Sequence, residues 1–266
     1  MHDDNPIPPS QGQTTVKQAN RLEMPAALQG RVWLSIQTHQ ARQLIHGRKG
    51  NAGKATIIGL VGFADRLRLI WQAARDDDPY ADWWLIKVHE AIEVARTEID
   101  NQQATLTQQL AQLPAIEVSI AASERPYRMP LNFANPYAYR AAQLLGAFDS
   151  LMCTALTARH IGLLVEANYQ QVVQDSARQL RALFLIPQSY RYLKIDRVTV
   201  QQASARSLEA KQAMGEVPAA ILSGEQRPPL VPRKLSLPTG MRGQINLQPG
   251  SVIPHDKQHD ETNIDS

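Results

Sequence analysis

The side chains of this chain that could do chemistry are scattered, and their spacing decides which chemistries stay open. Of seven histidines, His2, His255 and His259 fall near the two ends, and His39, His46, His89 and His160 share no local motif. His89-Glu90 lacks the second histidine that a zinc-protease helix needs four residues on, because position 93 is Glu. His255 and His259 stand four apart, but in a proline-flanked stretch that does not favour a helix. The basic, glycine-rich stretch Gly47–Lys54 fails as a phosphate cradle. Its Gly50 and Gly53 are too close together, and Ala55 replaces the hydroxyl residue that would hold magnesium. Asp76, Asp77, Asp78 and Asp82 lack the alternating ligand spacing of a calcium loop. They suit a helix boundary instead, where acids are favoured by the dipole of the following helix. The one cysteine, Cys153, excludes an intrachain disulfide and lies on an apolar helical stretch, where a thiol packs. No nucleophile elbow is present. The expectation is a protein without catalytic residues, metal, cofactor or small-molecule substrate.

A different constellation stands out, a strand that feeds a helix. Over Arg125–Phe133 the odd positions Tyr127, Met129, Leu131 and Phe133 make one apolar face. Arg128 and Asn132 occupy the other face, with Arg125 at its edge. A helix opens at once at Asn135-Pro136, since Asn caps free N–H groups and proline suits the first turn. Two such strands, one from each of two chains, would pair across a twofold axis into a ribbon of the width that a DNA major groove admits. Arginine suits guanine edges or phosphates and asparagine suits adenine edges. The same pattern also describes any amphipathic edge strand, which Pro126 and Pro130 favour. A rival ribbon strand is Trp33-Ser35-Gln37, alternating with Val32, Leu34 and Ile36 and preceded by Arg31. Arg48, Lys49 and Lys54 of the basic loop could approach phosphates, as could the tail cluster Arg227, Arg233, Lys234 and Arg242. Ordinary solubilisation explains the tail cluster equally well.

The elements that must position these residues are mostly helical. Leu60, Phe63, Leu67, Ile70, Trp71 and Ala74 predict an amphipathic helix that stops at Asp76–Pro79. A long helix is expected from Tyr80–Ala81 to just before Pro114, with a seam of Leu85, Val88, Ile92, Ala95, Ile99, Gln102, Leu106, Gln109 and Leu113 at heptad spacing. That seam packs against a neighbour in its own chain or pairs with a partner molecule. Short runs at Ile116–Ile120 and Tyr127–Phe133 read as strands. Helices follow from Asn135-Pro136 towards Leu164, over Tyr169–Ile186, and from after Asp196 to Gly215.

Composition frames this arrangement. The chain has 266 residues, 43% hydrophobic and 20% charged, with 28 Lys and Arg against 25 Asp and Glu. That balance permits a nucleic-acid partner without demanding one. Residues 1–29 carry prolines among polar residues and predict a flexible arm, and the acidic N-terminus does not read as a signal peptide. Prolines are dense from residue 217 onward, which predicts a largely disordered tail over 216–266. The folded domain is expected at 30–215. No apolar run approaches the roughly 20 residues of a membrane span, so a cytoplasmic location is expected.

Four runs carry a family likeness: Ile58–Arg68 (IGLVGFADRLR), Asp78–Trp84 (DPYADWW), Pro130–Tyr137 (PLNFANPY) and Leu156–Gly162 (LTARHIG). They resemble integrating conjugative element proteins related to the AcaB-type transcriptional activators of conjugative plasmids. The resemblance covers about 30–215 and implies a dimeric ribbon-helix-helix DNA binder. It does not itself place the contacting residues, which come from the strand pattern. The resulting expectation is an α+β protein, mostly helical with a small β element, that regulates transcription of a mobile element as a homodimer on double-stranded DNA. The alternative is a non-enzymatic adaptor of the transfer or excision apparatus, docking through Leu85, Val88, Ile92, Ile99 and Leu106.

Overall fold

A computed structural model describes residues 30–48, 50 and 56–232 of the chain. Lys49, Lys54, Arg233, Lys234 and Arg242, the expected arm over 1–29 and the remainder of the tail lie outside the described residues. In order the elements are β1 (Val32–Ile36), α1 (His39–His46), β2 (Gly47–Arg48), β3 (Ile57–Ile58), α2 (Leu60–Arg75), α3 (Pro79–Ala111), β4 (Tyr127–Leu131), α4 (Pro136–His160) and α5 (Glu166–Leu185). A short 3-10 turn, Ile186–Ser189, and the helices α6 (Arg197–Gln201), α7 (Ala205–Met214) and α8 (Ala219–Ser223) complete the list. The expected mostly helical architecture with a small β element is what the chain adopts.

Two long helices form its centre. His89 lies against Arg140 and Gln103 against Thr154, both pairs 51 residues apart, so α3 and α4 run side by side in the same sense. A parallel pair forces the chain to travel back along the bundle between them. Residues 112–135 make that journey, and β4 is its last stretch. The return strand is tied down on the way: Ala121 N–H donates to the Thr157 hydroxyl at 2.9 Å and Ser123 N–H to the Gln37 side-chain oxygen at 3.0 Å. The expected strand at Ile116–Ile120 does not form. Those residues belong to the extended return, with Ile116 and Ile120 exposed and no neighbouring strand to pair with among the described residues.

The heptad seam has an internal destination. Leu85, Val88, Ile92, Ile99 and Leu106 are all buried in the core that α3 shares with α2, α4 and α5. The expectation that they meet a partner molecule is therefore corrected, because the chain's own helices already cover them. Helix α4 is apolar on nearly all sides for the same reason. By length and composition it could cross a membrane, which departs from the sequence expectation, but 72% of its apolar window is buried inside the fold. Cys153 packs there as expected, and burial, assisted by the Asp149 charge, pushes its thiol up to about 11.

The acidic run is a helix boundary, as expected, but also more. Asp78 caps α3 by accepting from Tyr80 N–H at 2.8 Å and Ala81 N–H at 3.3 Å, and its other oxygen accepts from the Tyr190 hydroxyl at 2.6 Å. Asp82, fully buried one turn on, meets Arg197 at 2.5 Å and Arg227 at 3.0 Å. Arg197 also binds Asp77, which adopts a left-handed backbone at φ 67° that aspartate tolerates. Residues 217–232 are thereby held on the core: Val217 and Ile221 are buried, and the Tyr137 hydroxyl meets the Leu230 backbone at 3.1 Å. The packed body thus continues past the expected boundary at 215 to at least residue 232. The helix expected from Asp196 to Gly215 is broken in two, with Ala203 at φ 50° between α6 and α7.

Burial, against the relief of its hydrogen bonds, raises the Asp78 carboxyl from 3.8 to about 6. The folded state then binds a proton between those values that the unfolded state does not. This group's contribution to stability is full below about pH 4 and is lost as pH rises through about 6. A shift of this size corresponds to a loss on the order of 3 kcal/mol. Asp78→Asn keeps the cap and removes the titration. Chemical denaturation at pH 5 and pH 7 is expected to show a smaller fall in stability for the variant than for the parent chain.

Candidate nucleic-acid interface

The two rival strands turn out to be partners. β1 and β4 pair antiparallel within one chain, with Val32 opposite Leu131, Trp33 opposite Pro130, Leu34 opposite Met129, Ser35 opposite Arg128 and Ile36 opposite Tyr127. The expectation that the Tyr127–Phe133 strand meets its twin from a second molecule is corrected: its ribbon partner is the strand 95 residues earlier in the same chain. The physical reason lies in the apolar faces. Leu34, Ile36 and Leu131 are buried together against the helices, so either strand alone would leave half of that patch wet. Pro130 cannot donate to a ladder, and both strands are edges.

The ribbon's outer face is laid out in rungs. Ser35 and Arg128 form one, Trp33 and Pro130 the next, and the same register carried one step further sets Arg31 against Asn132. All six residues are exposed, as is Arg125 just before β4. The Arg128 guanidinium stands over the Trp33 ring at 5.4 Å. Among the described residues, no carboxylate forms a salt bridge with Arg31, Arg48, Arg125 or Arg128. Of the other sequence candidates, Gln37 is half-buried and its side-chain oxygen holds the return strand through Ser123, away from the outer rungs. Arg48 is exposed on β2, beside a cavity of about 300 Å³ that Arg181 also lines.

Both ends of the ribbon are fixed to α4. At the end of β1, the buried Asp149 carboxylate accepts from Gln37 N–H at 2.7 Å, Thr38 N–H at 2.8 Å and the Thr38 hydroxyl at 2.6 Å. Thr38 in turn caps α1. At the end of β4, the Tyr139 hydroxyl bridges Leu131 C=O and Phe133 N–H, both at 3.3 Å, and Asn135 caps α4 by accepting from Ala138 N–H at 3.0 Å.

Helix α1, which sequence reading left unassigned, lies beside the ribbon and adds to its positive rim. Arg42 stands over the Tyr127 ring at 4.9 Å, and His46 Nε2 is 3.2 Å from the Tyr127 hydroxyl. A threonine followed at helical spacing by Ala41, Leu44 and Ile45 was the local signal for it. Gly47 at the end of α1 and Gly59 just before α2 are in close contact. A Cβ on Gly47, at φ 69°, would sit 2.0 Å from Ile57 O, and one on Gly59 would sit 2.4 Å from Gly47 N.

These contacts separate what holds the site from what could bind. Asp149→Ala leaves two buried Thr38 donors and the half-buried Gln37 N–H without their acceptor and is expected to cost about 3–5 kcal/mol of stability. Arg128→Ala changes only exposed surface and is expected to stay within about 0.5 kcal/mol of the parent. Urea unfolding of the two variants measures both.

Comparison with known proteins adds to this geometry. The model of a family described as "Transcriptional regulator AcaB" matches residues 24–234. Among solved structures, the crystal structure of selenomethionine-containing AcaB from uropathogenic E. coli is similar, with a TM-score of 0.51 and 14% identity. The match covers 74% of this chain and 95% of that one, and at this identity the likeness is one of fold. No curated protein matches.

Proposed function

This chain belongs to the AcaB family of transcriptional regulators, and we propose that it regulates transcription by laying the outer face of the β1–β4 ribbon on double-stranded DNA. The observation that carries this reading is the cluster of exposed cations, Arg31, Arg125 and Arg128, interleaved with Ser35 and Asn132 and unpaired with carboxylates among the described residues. A two-stranded antiparallel ribbon has the width of a major groove, where Arg128 can meet a guanine edge or a phosphate and Asn132 an adenine edge. Arg42 and Arg48, at the rim, suit phosphates. Each chain carries a complete ribbon. A homodimer therefore sets two ribbons on one duplex instead of sharing a single one, and its operator holds two half-sites. The likeness to integrating conjugative element proteins makes the transfer promoters of such an element the first DNA to try.

The burial of the α3 seam removes the surface on which the adaptor reading rested. The family is one of transcriptional regulators and not of enzymes.

The test is selective retention. The full chain is mixed with fragmented DNA of its own element at two salt concentrations, and the DNA retained at the higher one is sequenced. Specific enrichment is expected. Binding that fades uniformly with salt would leave only charge attraction and overturn the reading. On an enriched duplex, Arg128→Ala and Asn132→Ala are each expected to cost about 1–3 kcal/mol in a polarisation titration. A residue that touches phosphate alone instead weakens all sequences alike and lowers the salt slope by about 1.

A further inference from the structure

Trp33 is 48% exposed, on the ribbon face that points away from the helices. It sits directly across from the exposed Pro130, so the outer face has an apolar central rung. On one side of that rung stand Ser35 and Arg128, and on the other Arg31 and Asn132, each flank combining a cation with a hydrogen-bonding side chain. The Arg128 guanidinium stands over the indole at 5.4 Å, so the two side chains contact each other on the ribbon's outer surface. Apart from this contact with Arg128, the half-exposed tryptophan takes no part in the hydrophobic core, and its side chain is the largest apolar one on this face.

Resting on the DNA-reading function proposed above, we infer that the Trp33–Pro130 rung reads the 5-methyl group of thymine at the centre of the ribbon's recognition site. The chemistry is selective. Along the floor of the major groove the thymine methyl is the only apolar group that projects from a base pair: cytosine offers a bare C5–H at that place, and the remaining positions are donors or acceptors. An indole face and a pyrrolidine ring can bury a methyl, and neither supplies an acceptor. The spacing agrees as well. Rungs on one face of a strand pair recur about every 6.8 Å, which is two base-pair rises of about 3.4 Å. The polar rungs thus fall about two base pairs to either side of the thymine. The recognised pattern has hydrogen-bonded readout at its ends and a methyl contact in its middle.

The experiment uses the full chain and a duplex library with a random 24-base-pair core. Parent chain and Trp33→Ala are each carried through selection and sequencing. The parent is expected to enrich thymine at the central position of each half-site, flanked by fixed purines. Trp33→Ala is expected to keep the flanking preferences and lose the central one. The enriched duplex is then made with deoxyuridine in place of that thymine in one half-site, which deletes one methyl and nothing else. The parent is expected to bind it about fourfold more weakly, the effect of one buried methyl, and Trp33→Ala to bind both duplexes equally. Equal binding of the two duplexes by the parent, or an unchanged central thymine in the Trp33→Ala selection, overturns the inference. The deoxyuridine arm uses the parent chain, so it stands even if the variant folds poorly. A variant that changes sedimentation but leaves the thymine preference intact assigns Trp33 to a protein contact and also overturns it. If the parent enriches no sequence at all, the DNA-reading function fails first, and that outcome is separate from the others.

Discussion

The position of the ribbon depends on one buried carboxylate. Asp149 lies in the middle of α4, among apolar neighbours, where an unpaired charge would be costly. It is satisfied by two backbone N–H groups and a hydroxyl from Gln37 and Thr38. Those donors are the last free groups of β1 and the cap of α1, so a single side chain fixes where the strand ends and where the helix begins. β1 then has one direction open to it, along α4. β4 arrives antiparallel because the return strand leads straight into the start of α4. The outer rungs are exposed as a consequence: the inner ones, Leu34, Ile36 and Leu131, are committed to the helices.

A second constraint comes from the parallel run of α3 and α4. It obliges a long return segment, and that segment delivers β4 to the same end of the bundle as β1. At the start of α3, Asp77 and Asp82 gather two arginines from the C-terminal part of the chain, and Asp78 receives Tyr190. The acids that mark a helix boundary locally are, in three dimensions, the clamp for a strap contributed from residues 190–230. The cost of burying Asp82 is offset by two guanidiniums, Arg197 and Arg227, on its Oδ2, while its Oδ1 is buried without a hydrogen-bond partner among the described residues and burial raises the carboxyl above its usual range.

The ribbon and the clamp lie on opposite sides of what a sequence pattern reports. Alternation of apolar and polar residues showed both strands and named the outward side chains Arg31, Ser35, Arg128 and Asn132. It could not say which strand would pair with which, because both candidates carry the same period and more than 90 residues separate their partners. Heptad spacing located the α3 seam but was silent on whether the cover comes from the same chain. Leu85 to Leu106 meet α4 and α5, and the pattern is identical to one that would meet a second copy.

The residues alone determined the long helices α2 to α5, the boundary at Asp78, the cap at Asn135 and the faces that had to be buried, since these follow from local hydrogen bonding and periodicity, whereas α1 with its Thr38 cap and the break before the Ser204 cap came only with the structure. They also determined the absence of any local catalytic signature. Only the tertiary structure decided that the two strands form one ribbon inside one chain, that Asp149 anchors it, and that Arg227 belongs to a packed segment and not to a loose tail. Each of these rests on contacts between residues far apart in the chain, and neither propensity nor spacing carries information about which distant group will satisfy a buried charge.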